Sequence, residues 1–110
     1  MGNAARIAEL NDQFRKDPAR FGKAYITDGV AAHGPDFVAR AVAATAAFAA
    51  FTTDNNPWGG RDFGSFQLDS ETLFWKIDYF DKADSDLGAE NPSDPVTTTR
   101  VLTIMRADEY

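Results

Sequence analysis

Ten carboxylates (Asp54, Asp62, Asp69, Glu71, Asp78, Asp81, Asp84, Asp86, Glu90 and Asp94) crowd residues 52–95 against only Arg61, Lys76 and Lys82. Groups of this type can ligate a hard cation, exchange protons as a pair, or stand in for phosphates on a basic surface. A calcium loop needs carboxylates or amides at positions one, three and five, then Gly at six. Starting at Asp84 puts Asp86 at three, but Gly88 at five and Ala89 at six. The pattern fails, and no metal site is expected. Asp78 and Asp81 are three apart, which sends them to opposite faces of an extended strand and argues against an acid–base couple. Lys76 and Asp78 do share a face and read as a surface ion pair.

Nucleophilic and phosphate-transfer chemistry fare no better. Asp62-Phe63-Gly64 spells the magnesium-binding tripeptide of kinases, yet 110 residues cannot hold the remaining kinase parts. Gly64 reads instead as relief of crowding or a bulge at the start of a strand. His33 is the only histidine and precedes Gly34-Pro35 at a helix start, a structural position. There is no Ser-His-Asp set, no Gly-x-Ser-x-Gly and no phosphate loop. The chain has no cysteine, which removes disulfides, thiolate metal sites and a cysteine nucleophile. The expectation is a protein without catalytic residues or cofactor.

The charge is unevenly placed. Residues 1–51 hold five acids and six bases, residues 52–95 ten and three, and residues 96–110 two and two. The net charge of −6 therefore sits in the middle of the chain. Such a field repels nucleic acid and membranes and attracts basic proteins, although solubility alone also explains it. Trp58 and the aromatic residues of 74–80 could stack on bases, but acids rather than Lys and Arg are interleaved with them. Core packing is the expected role of these aromatics.

The elements that must position these groups follow from periodicity. Asp62–Asp81 reads as two strands joined at Leu68–Glu71, with Asp69 and Ser70 forming the turn. Leu73, Trp75, Ile77 and Tyr79 point one way, and Phe74, Lys76, Asp78 and Phe80 the other. Before the hairpin, Asn3 is placed to cap a helix carrying Ile7, Leu10 and Phe14, stopped by Asp17-Pro18. Residues 23–27 form a short strand candidate ending at Asp28-Gly29. A second helix starts at Gly34-Pro35 and is expected to reach Phe51, with an apolar stripe of Val38, Ala41, Val42, Thr45, Phe48 and Ala49, widened by Phe37, Ala44 and Phe51. Residues 52–61 and 82–95 are loops, and residues 96–105, heavily β-branched, are the last strand, antiparallel to 73–79. The sum is one α+β domain over residues 1–110: a small antiparallel sheet of three or four strands with two helices packed on one face. The N-terminal residues lack the apolar core of a signal peptide and no apolar run spans a bilayer, so the expected location is the cytoplasm.

Four strings in this chain look familiar together: Arg6-Ile7-x-x-Leu10-Asn11-Asp12-x-Phe14-Arg15, Trp58-Gly59-x-x-Asp62-Phe63-Gly64, Phe74-Trp75-Lys76-Ile77-Asp78-Tyr79-Phe80-Asp81 and Arg100-Val101-Leu102-Thr103-Ile104-Met105-x-Ala107-x-Glu109-Tyr110. The chain resembles a family of short bacterial proteins of unassigned function, often carried on plasmids and prophages. The resemblance implies a single domain and carries over no activity, cofactor or catalytic residue. Its departures are the alanine-rich stretch 43–50 and the acidic loop 84–94.

Two functions compete on these grounds. One is a binding module that presents Asp78, Asp81, Asp84, Asp86, Glu90 and Asp94 to a basic surface of a host protein or nucleoprotein complex. Its sharpest form is a phage- or plasmid-encoded inhibitor of a host defence complex, of anti-CRISPR or anti-restriction type, with carboxylates in place of phosphates and no direct contact with nucleic acid or membrane. The other is a small enzyme or metal-dependent accessory protein using Asp62, Asp78, Asp81 and His33. A housekeeping or oligomerisation domain is the remaining option, with the mixed Phe74/Phe80 face as a route to a homo-oligomer.

Overall fold

The computed structural model describes residues 2–110. Its element order is helix α1 (Gly2–Lys16), a single turn α2 (Pro18–Phe21), strand β1 (Gly22–Ile26), a second single turn α3 (Asp28–Ala31), helix α4 (Pro35–Ala47), strands β2 (Phe63–Leu68), β3 (Glu71–Asp81) and β4 (Thr98–Arg106), and a closing 3₁₀ turn, Ala107–Glu109. The class is α+β. The four strands run in the spatial order β1-β4-β3-β2.

The hairpin forms where its sequence places it. β2 and β3 pair antiparallel from Phe63↔Lys76 to Leu68↔Glu71. Asp69 and Ser70 close the two-residue turn with φ of 50° and 71°, the left-handed geometry that matches the twist of a two-residue hairpin. β4 returns antiparallel beside β3, with Trp75 opposite Ile104 and Tyr79 opposite Arg100. β1 departs from an all-antiparallel sheet, because it pairs parallel to β4, Gly22↔Arg100 through Ile26↔Ile104. A parallel neighbour needs a long connection, and here the chain passes through α3, α4 and the whole hairpin between the two strands.

Alternation in β3 and β4 selects the core. Leu73, Trp75 and Ile77 are buried with Leu102 and Ile104, and Phe14 of α1, Val30 of α3, and Phe37 and Ala41 of α4 join them in one cluster. Trp75 is fully buried, and its indole lies across the backbone of Gly64 in the neighbouring strand. A Cβ at Gly64 would come within 2.6 Å of Trp75 Cε2 and 2.8 Å of Cζ2. Glycine here makes room for the largest side chain of the core.

Both main helices differ in detail from their sequence signals. α1 already contains Gly2 and Asn3, so Asn3 is inside the helix rather than its cap. α4 stops at Ala47, four residues short of Phe51. Its buried positions are Phe37, Ala41 and Thr45, one per turn, while Val42 is exposed. The helix ends where Arg15 Nη1 donates to the carbonyls of Thr45 (2.8 Å) and Phe48 (3.0 Å), satisfying oxygens that another turn would have bonded. Phe48 and Phe51 then leave the helix and set their rings edge-on to Trp75, at 5.5 and 6.1 Å between centroids.

The Trp75–Gly64 contact gives a direct test. Gly64→Ala is expected to lose about 1–3 kcal/mol of stability in urea unfolding, the scale of overpacking a well-filled core. An unchanged midpoint would show that the indole is free to move aside.

Candidate functional site

The six carboxylates singled out for partner binding lie on β3 and on the segment that joins it to β4. Asp78 projects from the face opposite Trp75 and accepts a hydrogen bond from Lys76 Nζ at 2.7 Å. Asp81 ends β3 opposite Thr98. Asp84, Asp86, Glu90 and Asp94 occupy the connecting loop, Asp94 half-buried and the other three exposed.

This loop is tied down along its length. Asp81 N–H donates to the Leu87 carbonyl (2.9 Å), Lys82 N–H to that of Thr97 (2.9 Å) and Ala89 N–H to that of Tyr79 (3.2 Å). Phe80 and Gly88 form an isolated bridge. Three of the acids shape the turns themselves. Asp81 Oδ1 accepts from Ala83 N–H (2.8 Å), Asp84 Oδ1 from Asp86 N–H (3.0 Å) and Asp94 Oδ1 from Val96 N–H (2.9 Å), the side-chain turns typical of Asp in loops. Leu87 and Val96 remain exposed on the same loop. Among the described residues, Asp81, Asp84, Asp86, Glu90 and Asp94 have no Lys or Arg in ion-pair range, whereas Asp36, Asp69, Asp78 and Asp108 each have one and Asp12 has two.

Beneath the loop runs a polar network that the sequence reading did not single out. Arg100 and Asn11 are buried. Arg100 Nε donates to Asn11 Oδ1 at 2.7 Å, and its Nη2 donates to the carbonyl of Pro92 in the acidic loop. Asn11 Nδ2 donates to Tyr79 Oη (2.7 Å) and to the Gly60 carbonyl (2.9 Å). Tyr79 Oη donates to Asp62 Oδ2 at 3.2 Å. The Arg100 guanidinium also lies 5.3 Å from the centre of the Tyr79 ring. Burial pushes the Tyr79 phenol above its ordinary pKa and pulls the Arg100 guanidinium below its own, because each environment disfavours the charged form. Thr98 Oγ1 adds a further tie, donating to the Asn91 carbonyl at 2.9 Å. The acidic loop is thus bracketed from inside by β4.

A second arginine, Arg15, is equally hidden. Its guanidinium sits 4.7 Å from the Trp75 ring centre and donates to Asp12 Oδ1 at 2.6 Å, while Arg61 holds the other Asp12 oxygen at 2.8 Å. One signal in the sequence does point to these residues. Arg100 stands in alternation with Leu102 and Ile104, and Asn11 and Arg15 each follow a buried apolar residue of α1. A polar residue in register with an apolar face must find its partners inside.

The residues of the alternative enzymatic reading do not converge. His33 stacks on Phe37 at 4.4 Å and faces Glu71 at 3.5 Å. Glu71 opens β3 and Asp81 closes it, about 33 Å apart at the rise of an extended strand. Asp62 is engaged with Tyr79, and Asp78 with Lys76. Among the described residues, no group of three or more acids or histidines is arranged to hold a metal ion. Trp58 corrects another expectation. It is 88% exposed and takes no part in the core, since it sits in a turn outside the helices and strands whose faces build that core. Among the described residues no helix is long and apolar enough to cross a membrane.

A family model described as a protein of unknown function (DUF3768) matches residues 26–109, and the chain belongs to that family. Neither the curated proteins nor the solved structures contain a match to it.

The half-buried Tyr79 phenol makes stability depend on alkaline pH. A raised Tyr pKa means that the folded state resists the phenolate, so stability is full below about 10, the ordinary value, and declines as pH climbs above it. Tyr79→Phe is expected to flatten this alkaline decline while costing about 1–2 kcal/mol at neutral pH through the lost Asn11 and Asp62 contacts. Urea unfolding at neutral and alkaline pH checks both effects, and an equally steep decline in the variant would remove Tyr79 as its source.

Proposed function

We propose that this member of the DUF3768 family is a small protein-binding module that docks its acidic loop on a basic surface of a host protein or nucleoprotein complex. The observation that carries this reading is the contrast in ion pairing: Asp81, Asp84, Asp86, Glu90 and Asp94 lack a basic partner among the described residues, on a loop otherwise fixed by hydrogen bonds. Carboxylates fixed in advance lose little conformational entropy on binding. Leu87 and Val96, exposed among them, supply the apolar contact area that interfaces place beside charge. Asp78, already neutralised by Lys76, contributes least.

In its sharper form the partner is a nucleic-acid-binding host defence complex of CRISPR-Cas or restriction type, and the carboxylates occupy positions taken by phosphates. The overall charge of −6 supports this form. Electrostatic docking of this kind speeds association and weakens steeply with salt.

The test begins with capture of the partner from host lysate on the immobilised protein and its identification. With that purified partner, affinity is expected to fall as salt rises, and the triple change Asp84→Asn, Asp86→Asn and Glu90→Gln is expected to weaken it about tenfold or more. Duplex DNA should compete if the carboxylates occupy a phosphate site. Binding that ignores both salt and the triple change would end the electrostatic reading. Indifference to DNA alone would end only the mimicry form.

A further inference from the structure

Trp58 is the most exposed large apolar side chain among the described residues, yet the turn that carries it is held on both sides. Before it, Thr52 N–H donates to Asn55 Oδ1 (2.8 Å) and Asn55 Nδ2 to the Ala50 carbonyl (3.0 Å). After it, Gly59 N–H donates to the Asn56 carbonyl (3.1 Å), Arg61 N–H to Asn56 Oδ1 (2.8 Å) and Arg61 Nη1 to Asp12 Oδ2 (2.8 Å). Tryptophan leads the residues that carry binding energy in protein interfaces, and a ring on a fixed turn loses little freedom when it is covered. Asn56, Gly59 and Arg61, on either side of the ring, also wall a cleft of ≈ 510 Å³ against α1. Its acids, Glu9 and Asp12, are balanced by Lys16 and Arg61, so the cleft itself selects no charge.

The neighbouring loop supplies the sign. One edge of β3 is occupied by β4, and the other receives both loops in succession. Ile77 N–H donates to the Asp62 carbonyl (2.8 Å), at the end of the Trp58 loop, while the Tyr79 carbonyl accepts Ala89 N–H (3.2 Å) and Asp81 N–H donates to the Leu87 carbonyl (2.9 Å). A second tie runs beneath them: Asn11 holds the Gly60 carbonyl and Arg100, and Arg100 holds the Pro92 carbonyl. The indole and the unpaired carboxylates of the acidic loop therefore belong to one continuous stretch of surface.

We propose that Trp58 is the aromatic anchor of this surface and stacks on an arginine side chain of a basic partner protein, an inference that rests on the acidic-loop reading for the sign of the partner's charge. Indole is the best of the aromatic faces for a cation. Guanidinium is planar and weakly hydrated, so it lies flat on a ring at less cost than the strongly hydrated ammonium of lysine. The chain makes the same contact internally, with the Arg15 guanidinium 4.7 Å from the Trp75 ring centre. The carboxylates beside the indole take the partner's remaining cations.

Titration of the whole protein with a short peptide of alternating arginine and glycine, followed through the indole N–H signals in NMR, tests the anchor. Matching lysine–glycine and citrulline–glycine peptides are the controls, and Trp58→Phe assigns the two indole signals. The Trp58 signal is expected to move saturably with the arginine peptide while that of Trp75, sealed in the core, stays in place. Trp58→Ala, outside the core, should weaken arginine-peptide binding about threefold or more and keep its salt dependence, with Trp58→Phe in between. The triple change at Asp84, Asp86 and Glu90 should instead flatten the salt dependence. Undiminished binding by Trp58→Ala, with the triple change still effective, would overturn the anchor and leave the acidic-loop reading intact. The reverse result would keep the stacking and end the acidic-loop reading. Absence of saturation, or equal binding of the lysine or citrulline peptide, would overturn the proposal.

Discussion

A buried guanidinium holds this molecule together where its three parts meet. Arg100 stands on the core face of β4, bonds Asn11 of α1 on one side and the Pro92 carbonyl of the acidic loop on another, and lies against the Tyr79 ring of β3. Helix, sheet and loop therefore share one anchor. Breaking such an arrangement strands a charge inside the protein, which costs far more than the loss of any single neutral hydrogen bond. The end of β3 already holds the segment between β3 and β4 at Leu87, Gly88 and Ala89, and Arg100 adds a tie at Pro92.

Arg15 repeats the device in the last turn of α1. It terminates α4 by taking the carbonyls of Thr45 and Phe48, lies against Trp75 and is neutralised by Asp12. The planar guanidinium suits this position because it can stack on an aromatic face and donate in several directions at once. Trp75 itself fits only because Gly64 presents no side chain beneath its indole.

The two internal arginines also shape the exterior. Positive charge that the sequence counts toward balance is withdrawn from the surface, while the carboxylates of residues 81–94 remain at or near it. The acids of that region do local structural work as well. Three of them accept backbone N–H groups in the turns they form, so presentation of charge and rigidity of the loop come from the same side chains.

The hairpin, its turn, the core face of β3 and the antiparallel return of β4 were legible in the sequence, because alternation and turn chemistry are local properties of adjacent residues. So were the Lys76–Asp78 pair and the use of Gly64. The parallel placement of β1, the early end of α4 and the exposure of Trp58 were not. Strand pairing across two helices, a carbonyl capped by Arg15 from another helix, and the position of the Trp58 turn outside the faces that build the core are facts about distant segments. The network of Asn11, Tyr79 and Arg100 shows the division most clearly. Its residues announce themselves only as polar letters in apolar register. Which of them meet depended on folding α1 over the end of the sheet, since hydrogen bonds between residues 89 positions apart in the chain carry no local signal.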